Sequence, residues 1–174
     1  AQTAVCVGHH GGFAERIRMG SRFVFPIPDK LSSENAAPLL CGGITVYSPL
    51  KYYDVKPSMR VGVIGIGGLG HLALQFARAF GCEVTAFSSS PRKETEAKSF
   101  GASNFISSTD PGAMQKASRS FDFLISTVNA DLDWNLYMTL LRANGKLCFV
   151  GATPNNISIS AFSLIIGRHM ICGS

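Results

Sequence analysis

A chain of 174 residues with 46% apolar and 16% charged side chains has room for one domain with a real core and little more. It is also too apolar and too sparsely charged to be a disordered segment. The net charge of +5 comes from 16 Lys and Arg scattered along the chain, densest at Arg92-Lys93. No basic stripe interleaved with aromatics is present, which argues against a nucleic-acid partner.

No apolar run reaches the ~20 residues of a membrane span, and no basic-then-apolar leader opens the chain. Cys6, Cys41, Cys82, Cys148 and Cys172 are odd in number, far apart and without CxxC spacing. They read as reduced thiols of an intracellular, cytoplasmic protein rather than as a disulfide frame or a metal knuckle.

In chain order, His9 and His10 stand beside Gly11-Gly12 with no carboxylate or cysteine at matching spacing, and read as surface residues. "FAERIRMGSRFVFPIPD" alternates apolar and polar residues and carries two prolines. It reads as strand and turn from the tail of a β-rich neighbouring domain, so residues 1–28 are expected to be a remnant of that domain and 29–174 a second one. "SSENAAPLLCGGITVYSPLKYYD" reads as two short helices with Ser32 or Ser33 as cap, which puts Cys41 at a helix start as a buried cysteine.

From Val61 strand and helix alternate. "VGVIGI" is a short β-branched run fit for a strand buried on both faces. "HLALQFARAF" places Leu72, Phe76 and Phe80 on one helical stripe with Ala73 and Ala77 beside it, and Gly81 stops it. "EVTAFS" is the second strand, and Pro91 opens the next helix. "NFIS" is the third strand, followed by a weak helix opened by Thr109 or Asp110. "FDFLISTV" is the fourth strand. "DLDWNLYMTLLRA" is a helix with Trp134, Tyr137 and Leu141 on its core face, ending near Asn144-Gly145. "KLCFVG" and "HMICG" are the fifth and sixth strands, separated by "AFSLIIG" with Ser160 as its cap. This alternation predicts an α/β fold, a doubly wound six-stranded parallel sheet (Rossmann fold) of order 3-2-1-4-5-6.

The spacing Gly65-Ile66-Gly67-Gly68-Leu69-Gly70, after a predicted strand and opening a predicted helix, is the context a dinucleotide loop requires. Gly65 permits the tight turn, Gly67 the close approach of backbone to a pyrophosphate, and Gly70 the packing of helix on strand. Where an acid usually holds the ribose hydroxyls, this chain has Ser88, Ser89 and Ser90, then Arg92 and Lys93. Hydroxyls and cations favour a 2′-phosphate, so "SSSPRK" predicts NADP(H); the alternative is an ordinary loop with Ser90 capping a helix. His71 is expected to pack between loop and helix, and Trp134 to belong to the core.

"AAPLLCGGITVYSPLKYY", "VGVIGIGGLGHLALQFARAFG", "VTAFSSSPRK", "FDFLISTV" and "GKLCFVGA" together resemble the zinc-dependent medium-chain alcohol dehydrogenases. The nearest branch is the cinnamyl alcohol dehydrogenase-like, NADP(H)-preferring one. The resemblance runs from about Gly11 to Ser174.

The resemblance implies hydride transfer between NADP(H) and an alcohol or aldehyde, with zinc as Lewis acid. It makes Cys41 a catalytic zinc ligand, although Gly42 stands where alanine is usual. It places Thr45 near the cofactor, Ser88, Ser89, Ser90 and Lys93 on the 2′-phosphate, and Gly68 and Leu69 in the phosphate loop. Thr127, Val150, Gly151 and Ser174 fall along the nicotinamide side. It also implies a homodimer through the sixth-strand edge. The family's remaining zinc ligands and its proton relay have no match here. The chain is therefore expected to be an inactive fragment, truncated at its C-terminus, that retains no zinc. The competing expectation is a nucleotide-binding module without chemistry, or a zinc-independent quinone-reductase-like unit.

Overall fold

The computed structural model describes residues 12–174; Cys6, His9 and His10 lie outside the described residues. The chain divides into two compact units, Ala1–Ala37 and Pro38–Ser174.

In the first unit, the described residues hold one 3-10 turn, Ser21–Phe23, and the start of helix α1 (Ser33–Pro38), with no strand. The strand expected from the alternation around Phe23 does not form. A strand needs an edge to pair with, and this stretch has none among the described residues; Val24 and Phe25 stay exposed. The Ser32 carbonyl accepts the amides of Asn35 and Ala36 and so begins α1.

The second unit opens with a wide helical turn, Leu39–Gly43, that runs straight into α2 (Ile44–Tyr52). Cys41 lies in this turn and is exposed, not buried as its place at a helix start suggested. The wider coil turns its side chain outward, while Gly43 takes the buried position.

Six parallel strands follow, β1 (Arg60–Ile64), β2 (Glu83–Ser88), β3 (Asn104–Ser107), β4 (Phe121–Ser126), β5 (Leu141–Phe149) and β6 (Met170–Gly173). Their order is β3-β2-β1-β4-β5-β6. Parallel neighbours require crossovers, and these are α3 (Gly70–Ala79), α4 (Glu94–Ser99), α5 (Pro111–Lys116), α6 (Trp134–Thr139) and α7 (Ala161–Gly167).

The strands are apolar on both faces because both faces are covered. Val63, Ala86, Ile125 and Cys148 pack with Val46 and Leu50 of α2 and Ala73, Leu74 and Ala77 of α3. Ile64, Phe87, Leu124 and Leu147 pack with Met114 of α5 and Trp134, Tyr137 and Met138 of α6. On α3 the small residues, Ala73 and Ala77, are fully buried. Phe76 and Phe80 are only partly covered and meet Tyr47 of α2 edge-on, at ring distances of 5.7 and 5.8 Å.

Helix α6 is shorter than its apolar stripe predicted. It ends at Thr139, and Leu141 already pairs with Phe121 of β4. The register shift between Phe121 and Phe123, with Asn144 at φ 65, absorbs the extra residues as a bulge. Extending the helix would forfeit that pairing. Asp110 accepts the Gly112 and Ala113 amides and caps α5, whereas Ser160 occupies the cap position of α7 without making a side-chain bond.

Leu124 is fully buried and Leu136 is 37% exposed. Leu124→Ala should cost about 2–5 kcal/mol and Leu136→Ala less than about 1 kcal/mol. Urea denaturation with an unchanged slope measures both.

Candidate cofactor site

The site grows from the C-terminal end of β1. Gly65 has φ +87, a left-handed turn that glycine adopts without strain. Its amide donates to the Phe87 carbonyl of β2 at 2.9 Å. The Thr127 hydroxyl, just after β4, lies 2.9 Å from the Gly65 carbonyl and 3.1 Å from that of Ile64. A Cβ on Gly70 would collide with the same Gly65 carbonyl, so α3 packs against its own strand only because Gly70 has none. Gly67 and Gly68, by contrast, face open space. The His71 amide donates to the Gly67 carbonyl at 3.0 Å, and its ring packs at a tilt of 55° against Phe100, 5.3 Å away.

Because β1 lies between β2 and β4, the crossovers leave it toward opposite sides, and a crevice opens where the strand order reverses. The cleft there has a volume of about 410 Å³. Gly65, Gly67, Ser88, Ser89, Ser90, Lys93 and Thr127 all line it. Hollows of 430 and 470 Å³ lie elsewhere, lined by Arg119 and His169 in one and by Arg60 and Glu83 in the other. Size therefore does not single out the β1 cleft; its position and chemistry do.

At the end of β2 the Ser88 hydroxyl accepts the Ser90 amide at 3.2 Å. Ser90 stands before the Pro91–Lys93 turn but makes no side-chain cap bond, so its hydroxyl is not committed to capping. Lys93 reaches back across the cleft and donates to the Ile66 carbonyl. Its other neighbour, Glu96, is 3.9 Å away, with both side chains about half exposed; such a pair holds the ammonium weakly. Arg92 is exposed and does not line the cleft.

The other predicted positions, Cys41, Thr45, Val150, Gly151 and Ser174, do not line this cleft. The Val150 and Gly151 amides both donate to the Ser126 carbonyl at 3.0 Å, and the Ser174 amide to the Phe149 carbonyl at 3.3 Å. Thr45 is half-buried on α2. Cys41 stands near the start of α3: a Cβ on the adjacent Gly42 would lie 3.1 Å from Leu72, so an alanine at Gly42 would press on Leu72. Among the described residues no group of three or more His, Cys, Asp or Glu could hold a metal ion. One exposed thiol does not fit a four-coordinate zinc site by itself.

The sequence did not single out Ser108, Val128, Asn129, Leu132 or Tyr137, which also line the cleft. Ser108 is brought in by pairing: its amide donates to the Ser88 carbonyl at 3.0 Å. Burial pushes the Tyr137 hydroxyl up from its ordinary pKa, and a hydrogen bond with Ser108 pulls the other way, so the phenol remains neutral.

Sheet order and crevice define a Rossmann-type α/β domain. The family described as zinc-binding dehydrogenase matches residues 68–174, and the chain belongs to it. An aldehyde reductase from Synechocystis sp. is 48% identical over 168 residues, 97% of this chain and 50% of its own length. The structure of a cinnamyl alcohol dehydrogenase from Sorghum bicolor superposes with a TM-score of 0.82 at 41% identity, covering 84% of this chain and 42% of that one. A Helicobacter pylori cinnamyl alcohol dehydrogenase, solved as a complex with NADP(H), superposes at 0.75 with 39% identity, covering 83% and 41%. The chain spans about half the length of the curated relatives it matches.

The two glycines make opposite predictions for the loop. Gly70→Ala should destabilise the fold by about 1–3 kcal/mol or more. Gly67→Ala should leave stability unchanged, since nothing lies within 4 Å of its Cβ position. Denaturation midpoints of the two variants test the pair.

Proposed function

We propose that this chain is the NADP(H)-binding part of a zinc-dependent alcohol or aldehyde oxidoreductase, with a small alcohol or aldehyde as the whole protein's substrate. The observation that carries the proposal is the end of β2. It has no acid, and three serines and a lysine face the same cleft as the open glycine loop. A carboxylate there would bond a free ribose hydroxyl and repel a 2′-phosphate; serine hydroxyls and an ammonium do the reverse.

When bound, the cofactor supplies or takes up the hydride at its nicotinamide. The chain's own residues bind and orient it. The loop Gly65, Gly67, Gly68, Leu69 and Gly70 receives the pyrophosphate where α3 begins. Ser88, Ser89, Ser90 and Lys93 hold the 2′-phosphate, with Arg92 adding charge from the rim. Thr45, Thr127, Val150, Gly151 and Ser174 line the nicotinamide half. Cys41 contributes one thiolate to a zinc whose other ligands belong to the rest of the protein. Residues 1–28 then belong to the catalytic domain and 29–174 to the cofactor domain. The chain alone binds cofactor without turning over alcohol. A cytoplasmic location accords with the free thiols Cys41, Cys82, Cys148 and Cys172.

NADPH should bind at least about ten-fold more tightly than NADH, the equivalent of a charge-assisted bond of roughly 1.5–3 kcal/mol. Ser88→Asp combined with Lys93→Ala should reverse the order. Equal affinities by titration calorimetry would refute the 2′-phosphate assignment.

The same reading includes a homodimer. β6 is an edge strand with Met170 and Ile171 exposed, and Phe162, Ile165 and Ile166 of α7 are exposed as well. An apolar edge with unpaired amides favours a self-complementary partner. Sedimentation equilibrium should find a dimer that Met170→Lys shifts toward monomer; a dimer unaffected by that change would place the interface elsewhere.

A further inference from the structure

Three groups far apart in sequence meet at the outer end of the sheet. Cys148 of β5 and Cys172 of β6 are directly paired in parallel register. Paired residues of neighbouring strands project to the same face, with strands about 4.8 Å apart. That separation lies inside the ~4.4–6.8 Å between Cα atoms that a disulfide spans. Both sulfurs belong to the same side of the sheet: Cys148 is fully buried in the cluster under α2 and α3, and Cys172 packs against that cluster while staying half-buried. Tyr53, from the end of α2, closes the group. Its hydroxyl donates to the Gly173 carbonyl at 3.0 Å.

We infer that Cys172 and Cys148 form a peroxide-sensitive thiol pair, with Cys172 as the reactive sulfur and Cys148 as the resolving one.

The electrostatics agree with the geometry. As a thiol, Cys172 donates to the Leu147 carbonyl at 3.7 Å. The neighbouring Cys148 thiol lowers the Cys172 pKa to about 7; Tyr53 and the Lys146 ammonium add to this, while partial burial opposes it. The Cys172 sulfur and burial push Cys148 well above the ordinary thiol range. Cys172, the more exposed of the two sulfurs, is the one whose thiolate is favoured. The titratable groups around it are Cys148 and Lys146 on β5 and Tyr53 just after α2.

The Cys172 thiolate attacks one oxygen of hydrogen peroxide. The O–O bond breaks, hydroxide leaves and becomes water on taking a proton, and the sulfur is oxidised to sulfenic acid. The Cys148 sulfur attacks the sulfenic sulfur, the S–O bond breaks, and the hydroxyl departs as water with the Cys148 proton. Two thiols and one peroxide give one disulfide and two waters. The bond ties the edge strand to β5, immediately before Val150.

The test is peroxide treatment of the protein at neutral pH, alkylation of the remaining thiols, proteolysis and mass spectrometry. A Cys148–Cys172 linked peptide, removed by dithiothreitol, is expected. Its rate of formation should fall at least about ten-fold between about pH 8 and about pH 5, as Cys172 protonates. Cys172→Ser should abolish the link. Cys148→Ala should leave a sulfenic acid on Cys172 that dimedone traps. Wild-type protein in which peroxide modifies Cys41 and yields no Cys148–Cys172 peptide would overturn the inference, as would a Cys172 linked only to a second copy of the chain.

Discussion

The carbonyl of Gly65 is the point on which the crevice end of this sheet turns. Gly70 rests against it without a Cβ, the Thr127 hydroxyl is bonded to it, and the Gly65 amide is tied to Phe87 on the next strand. Three strands, β2, β1 and β4, are thereby held in register at the end where the crevice opens. The start of α3 follows from the same contact, since its first turn approaches β1 no closer than Gly70 allows. Any side chain at Gly70 would push the helix off the strand and open the loop that Gly67 and Gly68 leave bare.

The second constraint is charge at the end of β2. In the proposed reading, hydroxyls in place of the usual acid remove one repulsion toward a 2′-phosphate, and Lys93 supplies the attraction. Its bond to the Ile66 carbonyl ties the turn after β2 to the glycine loop, because Ile66 sits inside that loop. A phosphate held by Lys93 would thus be held relative to the loop that receives the pyrophosphate. Arg92, one residue away, is exposed; of this basic pair in sequence, Lys93 lines the cleft and Arg92 does not.

Much of this was legible because the signals are local. β2 and β3 occupy the residues the apolar runs marked, Glu83–Ser88 and Asn104–Ser107, and the order of the sheet follows the predicted one. The failures are equally specific. The alternation around Phe23 looks like a strand, but alternation describes a face and says nothing about whether a partner edge is present. The stripe Trp134-Tyr137-Leu141 is truly helical in period, yet Leu141 is claimed by Phe121, and the hydrogen bonds of the ladder outweigh one more helical turn. A cysteine at a helix start reads as buried, whereas a wide five-residue turn exposes Cys41.

The sequence by itself determined the fold class, the turn at Gly65 and the chemistry available at Ser88–Lys93, because each depends on residues within a strand and the turn that follows it. Only the tertiary structure decided which residues share the cleft and which cysteines meet. Ser108 and Tyr137 enter the site by strand pairing and helix packing across tens of residues, and Cys148 faces Cys172 because β5 and β6 pair in one register and not the next. A shift of one residue would turn one sulfur to the opposite face, and nothing in the spacing of two cysteines records that choice.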